Sequence, residues 1–452
     1  MTLLNELSAE VCQRARMSRD PRFDGRFFVA VKTTGIFCRP ICPANLPKEE
    51  NVEYFSSQAL AVSAGYRPCL RCRPESAPHS WAWKGAETTF LRALTLIEQG
   101  ELDGSLETLA SRLGISDRYL RQLFQRHLGM PPKQYAQIQQ LMFAKQLLHT
   151  SQISITEVAY ASGFQSTRRF NDAFQKLFRL TPTQVRRERA ALPSRNHLSL
   201  AFRGPFDWAH MLDFYRLRAI EGMELVDEQS YQRHFVLGEG TGWFKASMAQ
   251  SHLDIEFEME RLSDLRHLVA RLRRMFDLDA DLISIEAYLE QLAPGLVRRT
   301  GIRIPGVWNA WEAGVRAVLG QQVSVKAAIG QLNLLVSTLA ASEGSTRYFP
   351  TPEQVQMSDL SFLRMPERRK ETLKRLADYV RLHPMDSPMA WLSLSGIGPW
   401  TIDYAQLRGE SRSHCFLTGD LIVRKALAKF PQLTAESVAP WGSYATFHCW
   451  SH

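Results

Sequence analysis

The sequence predicts a multidomain chain, mainly α with α+β parts. Three observations carry that expectation. A helix–glycine–helix pattern recurs at an offset of 49 residues, from Gly114 to Gly163. Four of the seven cysteines fall between positions 38 and 72. Beyond residue 281 the pattern is mostly helical, whereas 197–280 mixes strand-like and helical stretches. At ~150 residues per domain, 452 residues suggest about three domains.

Composition excludes several classes. Hydrophobic residues make up 45%, enough for several packed cores and against disorder of the whole chain. The apolar runs fall far short of the ~18–20 residues a membrane span needs. Met1 to Arg16 contains acidic residues and no apolar core of signal-peptide length, so a cytoplasmic chain with no membrane partner is expected. The cysteines stand at 12, 38, 42, 69, 72, 415 and 449, an odd and uneven set. A disulfide framework predicts an even, dense set in a small secreted chain, so the cluster points to metal.

The first block, 1–80, carries that cluster. Cys38-Arg-Pro-Ile-Cys42 and Cys69-Leu-Arg-Cys72 form two short pairs separated by 26 residues. Four thiolates at such spacings suit one tetrahedral Zn²⁺, and a site of four cysteines is normally structural. Pro74 to Pro78 reads as a break.

The second block, 86–190, holds the repeat. Ser105 to Ile115 matches Ser154 to Phe164, and second helices are expected over Asp117–Leu128 and Thr167–Phe178. Pro132 and Pro182 close equivalent turns. Leu109, Leu113, Leu120 and Phe124 in one unit, and Val158, Phe164, Phe170 and Phe174 in the other, give the inner faces. This is a doubled helix-turn-helix, with a plain helical bundle as the alternative. From Arg112 to Arg189 there are 13 Lys/Arg against 4 Asp/Glu, or 13 − 4 = +9, which matches the net charge of the whole chain. A basic stretch of this kind suits a polyanion. Arg118, Arg121, Arg168 and Arg169 stand near the starts of the second helices, where base and phosphate contacts are expected. The block resembles an AraC-type DNA-binding domain. Ala191 to His197 reads as the linker to the third block, 197–280.

The block 281–452 carries Leu392-Ser-Leu-Ser-Gly396-Ile-Gly398-Pro-Trp400. Glycines at a tight turn that opens a helix let backbone N–H groups reach a phosphate, so Gly396 and Gly398 mark a helix-hairpin-helix. Alone, Gly-Ile-Gly could be an ordinary helix connection. Asp420 follows Gly398 by 22 residues, and an isolated Asp before an apolar helix is usually only an N-cap.

Two further resemblances bear on chemistry. Thr33 to Pro40 and Gly65 to Pro74 resemble the N-terminal domain of the bacterial adaptive-response regulator, which removes methyl groups from DNA methylphosphotriesters. This implies that Cys38 is both a zinc ligand and the methyl acceptor. The regulator's second methyltransferase motif, Pro-Cys-His-Arg, is absent. The hairpin followed by Gly419-Asp420 resembles the helix-hairpin-helix glycosylase superfamily, which implies that Asp420 is the catalytic carboxylate. Trp400 stands where bifunctional members carry a lysine, so a monofunctional enzyme is expected. From Phe206 to Trp450 the chain is similar to alkylpurine glycosylases related to 3-methyladenine glycosylase II. That similarity implies a base pocket of Trp400, Tyr404 and Trp450, where cation–π stacking of ~0.5–2 kcal/mol suits a cationic base. Gln322 replaces the leucine expected to wedge into the gap left by the flipped base.

The combined reading is a small zinc domain (1–80), a double helix-turn-helix (86–190), a small antiparallel-sheet domain (197–280) and a helix-hairpin-helix glycosylase domain (281–452). It implies a nucleoid-associated monomer acting on alkylated and promoter double-stranded DNA, with RNA polymerase as a further partner. The rivals are a methylation-responsive regulator with a non-catalytic glycosylase remnant, and an AraC-type sensor of a small ligand.

Overall fold

The computed structural model describes residues 7–20, 23–72, 74, 81–98, 100, 102, 105–187, 196–340, 342–343, 346–384 and 386–451. Most of the Pro74–Pro78 break and of the Ala191–His197 linker lies outside the described residues. Contacts divide the chain into two compact units, Met1–Gln139 and Gln140–His452.

The first unit begins with α1 (Ala9–Met17), opened by the Ser8 side chain accepting from Val11 N. Strands β1 (Phe28–Val31), β2 (Ile36–Cys38), β3 (Val52–Phe55) and β4 (Arg67–Pro68) form one sheet in the order β3-β1-β2-β4, with α2 (Gln58–Ser63) between β3 and β4. Alternation along β1 sends Val29 into one core with Cys12, Phe27 and Val52, and Phe28 and Ala30 into another with Phe37 and Ala61. Neither core is large, which is the situation in which a small domain needs a metal staple. Helices α3 (Trp81–Glu98), α4 (Leu106–Arg112) and α5 (Asp117–Leu128) follow. Ser105 and Ser116 cap α4 and α5 by accepting from Thr108 N (3.1 Å) and Tyr119 N (3.2 Å). Leu109, Leu120 and Phe124 are buried with Phe90, and Leu113 packs partly buried against them.

Helix α6 (Pro132–Thr150) contains the boundary between the units. In the second unit α7 (Ile155–Ala161) starts with a capping box of Ser154 and Glu157, and α8 (Thr167–Phe178) and α9 (Pro182–Arg187) complete the second repeat. Both second helices span the residues expected.

Strands β5 (His197–Ala201), β6 (Glu224–Val226), β7 (Ser230–Leu237), β8 (Gly240–Met248) and β9 (His252–Met259) form an antiparallel sheet in the order β5-β9-β8-β7-β6, with α10 (Trp208–Arg216) and α11 (Leu265–Met275). One apolar core contains Leu147, Phe170 and Phe174 together with Phe244, Phe257 and Phe276 of the sheet side. The second helix-turn-helix thus shares its interior with the sheet.

The helical remainder comprises α12 (Leu282–Leu292), α13 (Ala310–Gly320), α14 (Val325–Leu339), a short hairpin of β10 (Ser342–Glu343) and β11 (Thr346–Arg347), α15 (Pro352–Met357), α16 (Glu367–Leu382), α17 (Pro399–Glu410), α18 (Leu421–Leu427) and α19 (Gly442–Trp450). Helix α13 is central: every residue from Trp311 to Leu319 is buried. A Cβ at Gly409 would lie 2.6 Å from Ala310 Cα, so α17 and α13 meet backbone to backbone.

A buried ion network joins this helix to the sheet. Arg233 on β7 pairs with Glu224 (2.8 Å) and with Glu312; Arg316 pairs with Glu312 (2.9 Å) and Glu224 (3.3 Å). Burial opposes ionisation of Glu312, but Arg233 and Arg316 outweigh it and draw the carboxyl down to about 2. Among the described residues no helix is long and apolar enough to cross a membrane.

Candidate active site and metal centre

The metal centre is built by strand pairing. β2 and β4 run parallel with Phe37 opposite Pro68, and Cys69 N donates to Phe37 O (3.0 Å). Two chain segments that each end in a cysteine are therefore set side by side. The turn after β2 closes with Cys42 N donating to Arg39 O (3.1 Å). The sulfurs of Cys38, Cys42, Cys69 and Cys72 all lie within 4.8 Å of one another.

The donor set suits zinc, being four soft sulfurs in a half-buried setting. A hydrogen bond to Cys72, then burial, pushes the Cys38 thiol upward. The same contact, against burial, draws Cys72 down to about 5. Arg39 N donates to Cys72 Sγ (3.4 Å), and its guanidinium is held on Asp24 by two hydrogen bonds, one of 2.8 Å. Asp24 and Arg39 were not singled out from sequence; Arg39 was visible there only as the residue after Cys38.

The second site lies where α10, α13, α14, α17, α18 and α19 converge around a cavity of about 390 Å³. Asp420 caps α18, its Oδ1 accepting from Ile422 N (2.9 Å), Val423 N (3.1 Å) and Trp450 Nε1 (3.1 Å). Among the described residues Oδ2 has no hydrogen-bond partner. The N-cap role is real, and it also fixes the carboxylate at the cavity wall. Trp400 and Tyr404 stack on α17 with centroids 5.3 Å apart. Trp450 lies nearly parallel to Phe214, 6.2 Å away at 14°. The structure thus brings Asp420, Trp400, Tyr404 and Trp450 around one cavity.

Gln322 is not part of that wall. It lies exposed in the loop between α13 and α14 with φ 57°, beside Val323, which does line the cavity. The preceding Gln321 donates to Gly396 O (3.1 Å) and Thr401 Oγ1 (3.2 Å), tying this loop to the hairpin.

The hairpin's first arm is a 3₁₀ helix, Pro388–Ser393. Gly396 has φ 92°, and a Cβ there would collide with Thr372 Oγ1. Gly398 caps α17 with open space around its Cα. Arg118 and Arg121 are exposed on α5, Arg121 pairing with Asp117 (3.0 Å), and Arg168 and Arg169 are exposed on α8.

Several cavity residues were missed. Phe214 and Arg218 stack on each other, with the guanidinium carbon 3.7 Å from the ring centroid. Burial lowers Arg218 to about 10. Arg408 donates to Tyr404 Oη (3.0 Å) and sets that ring. The four-residue spacing of His210, Phe214 and Arg218 was the available signal.

These features define a class: a zinc domain and helix-turn-helix units preceding a helix-hairpin-helix glycosylase fold. Three family descriptions match the chain: the metal binding domain of Ada over residues 11–75, a helix-turn-helix domain over 109–188 and the AlkA N-terminal domain over 197–309. The chain is 35% identical to the probable bifunctional transcriptional activator/DNA repair enzyme AlkA of Mycobacterium tuberculosis, across 98% of this chain and 96% of that one. It is 33% identical to DNA-3-methyladenine glycosylase 2 of Escherichia coli, over 56% of this chain and 96% of that one. It is also 35% identical to the bifunctional transcriptional activator/DNA repair enzyme Ada of Escherichia coli, over 38% of this chain and 47% of that one. The chain belongs to the family of bifunctional transcriptional activator/DNA repair enzymes AlkA. Its four clustered cysteines are the site of one zinc ion per chain.

Proposed function

We propose that this chain is an alkylation-damage repair protein that joins two chemistries. The first is hydrolysis of the N-glycosidic bond of 3-methyladenine and related alkylated bases. The single observation that carries it is Asp420, fixed by three hydrogen bonds on one oxygen at the wall of an aromatic cavity.

A flipped nucleotide places its base among Trp400, Tyr404 and Trp450. A methylated purine carries positive charge and leaves readily. As the C1′–N bond lengthens, the Asp420 carboxylate stabilises positive charge on the sugar. Its free Oδ2 accepts the proton of the attacking water. No lysine lines the cavity among the described residues, so no Schiff base forms and the strand stays intact. The hairpin at Gly396 and Gly398 grips backbone phosphate, and Gln322 at the exposed loop fills the gap in the duplex.

The second chemistry is stoichiometric. Cys38 Sγ attacks the methyl carbon of a methylphosphotriester; the C–O bond breaks and the phosphodiester leaves with the electron pair. Bound zinc holds the coordinating thiols deprotonated at neutral pH. Arg118, Arg121, Arg168 and Arg169 contact promoter DNA, in a cytoplasmic, nucleoid-associated monomer that engages RNA polymerase.

Incubation with N-methylated duplex DNA tests the enzymatic reading. Free methylated base and alkali-labile abasic sites are expected, with no nicks before alkali. Nicking without alkali contradicts the monofunctional mechanism; absence of released base leaves the regulator with a silent glycosylase fold.

A further inference from the structure

We propose that His210 is a general acid of the cavity, donating a proton to a base that leaves without a positive charge of its own. The proposal rests on the reading of the Asp420 cavity as the site of glycosidic cleavage.

Three placements carry it. His210 and Phe214 are four residues apart on α10, which turns them to one side; Arg218 lies in the turn just after the helix, and all three line the cavity with Asp420. Phe214 is the ring parallel to Trp450, so His210 stands about one helical turn, ~5.4 Å, along α10 from the aromatic wall.

The imidazole is also oriented. Its Nε2 lies 3.5 Å from Ser451 Oγ. The single hydroxyl hydrogen of Ser451 goes to Phe447 O (3.0 Å). Toward His210 that oxygen can only accept, which selects the Nε2–H tautomer. Nδ1, which has no partner among the described residues, is then the nitrogen that takes up and gives away a proton.

Electrostatics fit an acid that is neutral at rest. Burial lowers the His210 pKa from its ordinary value, and Arg299 acts in the same direction. Asp207 at the start of α10 and Asp213 on the same helix favour the protonated form. Asp420 at the start of α18 and the Arg218 guanidinium share the cavity, and beyond α19 the neighbour is the uncharged Ser451. A neutral imidazole tolerates a cationic purine; a protonated one repels it.

Arg218 gives independent support. It has no carboxylate partner among the described residues, whereas Arg316 in the same wall is neutralised by Glu312 and Glu224. An uncompensated guanidinium disfavours a cationic base and favours one with a carbonyl oxygen. The wall therefore suits more than cationic purines.

The step balances. Nδ1, unprotonated at rest, takes a proton from solvent and passes it to a ring nitrogen of the purine. The C1′–N9 bond breaks and its electron pair goes to the base. Water oxygen bonds to C1′ and yields a proton to Asp420. Asp420 then returns its proton to solvent, and His210 is left neutral, as at rest.

The test measures single-turnover release of hypoxanthine, a neutral 6-oxopurine, and of 7-methylguanine, a cation, from matched duplexes between pH 5.5 and 8.5. Wild type should release hypoxanthine faster as pH falls below about 6.5, and His210→Gln should lose that limb and fall roughly 100-fold, in the range of general-acid effects. Release of 7-methylguanine should fall far less than release of hypoxanthine, and an unfolding curve matching wild type reports that the variant is folded. Equal losses on both bases, or hypoxanthine release within threefold of wild type, overturn the proposal. So does a wild type that frees 7-methylguanine and no hypoxanthine at any pH. Release of neither base from wild type instead removes the underlying glycosylase reading.

Discussion

In the first unit the proposed methyl acceptor, Cys38, is also part of the scaffold. The β1–β4 sheet buries one small group of side chains on each face, and the sulfurs of Cys38, Cys42, Cys69 and Cys72 hold together the loops that no core reaches. In the second unit the proposed reacting carboxylate caps only the short helix α18 and the bulk of the scaffold lies elsewhere. Asp420 sits at the cavity wall, while helices such as α13 are fixed by extensive apolar cores and a buried ion network. The difference teaches where a substitution reports on chemistry and where it reports on folding. A change at Cys38 does both; a change at Asp420 leaves the cores untouched.

The largest effect expected is at Cys38. Cys38→Ala should abolish the single-methyl adduct that mass spectrometry detects after incubation with methylphosphotriester DNA, and should lower zinc content. Base release by the same variant should stay near wild type. A surviving adduct on another residue breaks the assignment, and a parallel loss of base release breaks the separation between the two regions.

Glu312→Gln sharpens the contrast from the other side. It leaves Arg233 and Arg316 with Glu224 as their remaining carboxylate, and breaking a buried pair costs about 3–5 kcal/mol. Denaturant unfolding followed by tryptophan fluorescence should show that loss. A change under about 1 kcal/mol means the network is not buried as described.

Asp277 gives a pH signature of the second unit. It is buried, accepts from Tyr444 Oη (3.0 Å) and from Ile304 N (3.2 Å), and burial pushes its carboxyl up to about 7. The folded chain keeps a proton that the unfolded chain releases from about pH 4 upward. Stability from this group is therefore full below about pH 4, declines as pH rises to about 7 and is level above. Asp277→Asn should flatten the decline, gaining roughly 2 kcal/mol relative to wild type between pH 5 and pH 8. Asn also tolerates the φ of 53° at this position. Parallel curves for the two proteins contradict the assignment.

Gly396→Ala should cost about 1–3 kcal/mol from its left-handed backbone. Contact with Thr372 adds to it. Affinity for undamaged duplex should fall as well; an unchanged affinity removes the hairpin from the DNA-binding surface.

What the sequence revealed follows from the range of its signals. Residues 117–128 and 167–178 were legible as helices because caps, glycine turns and apolar spacing are local. The two cysteine pairs were legible because metal ligands come as short motifs. Asp420 and Trp400 were placed through resemblance, since nothing local separates a catalytic Asp from an N-cap. Phe214, Arg218 and Arg316 escaped because a cavity wall is assembled from α10 and α13, about a hundred residues apart, and each helix alone reads as amphipathic. The shared core of α8 and the sheet escaped for the same reason.

The central claim is that the Asp420 carboxylate drives cleavage of the sugar–base bond. Single-turnover release of 3-methyladenine by Asp420→Asn, with DNA affinity measured in parallel, tests it most directly. A loss of about 10³-fold or more in rate, on the scale of removing a main electrostatic stabiliser, with affinity within a few-fold of wild type, is the predicted result. Release at the wild-type rate would contradict it.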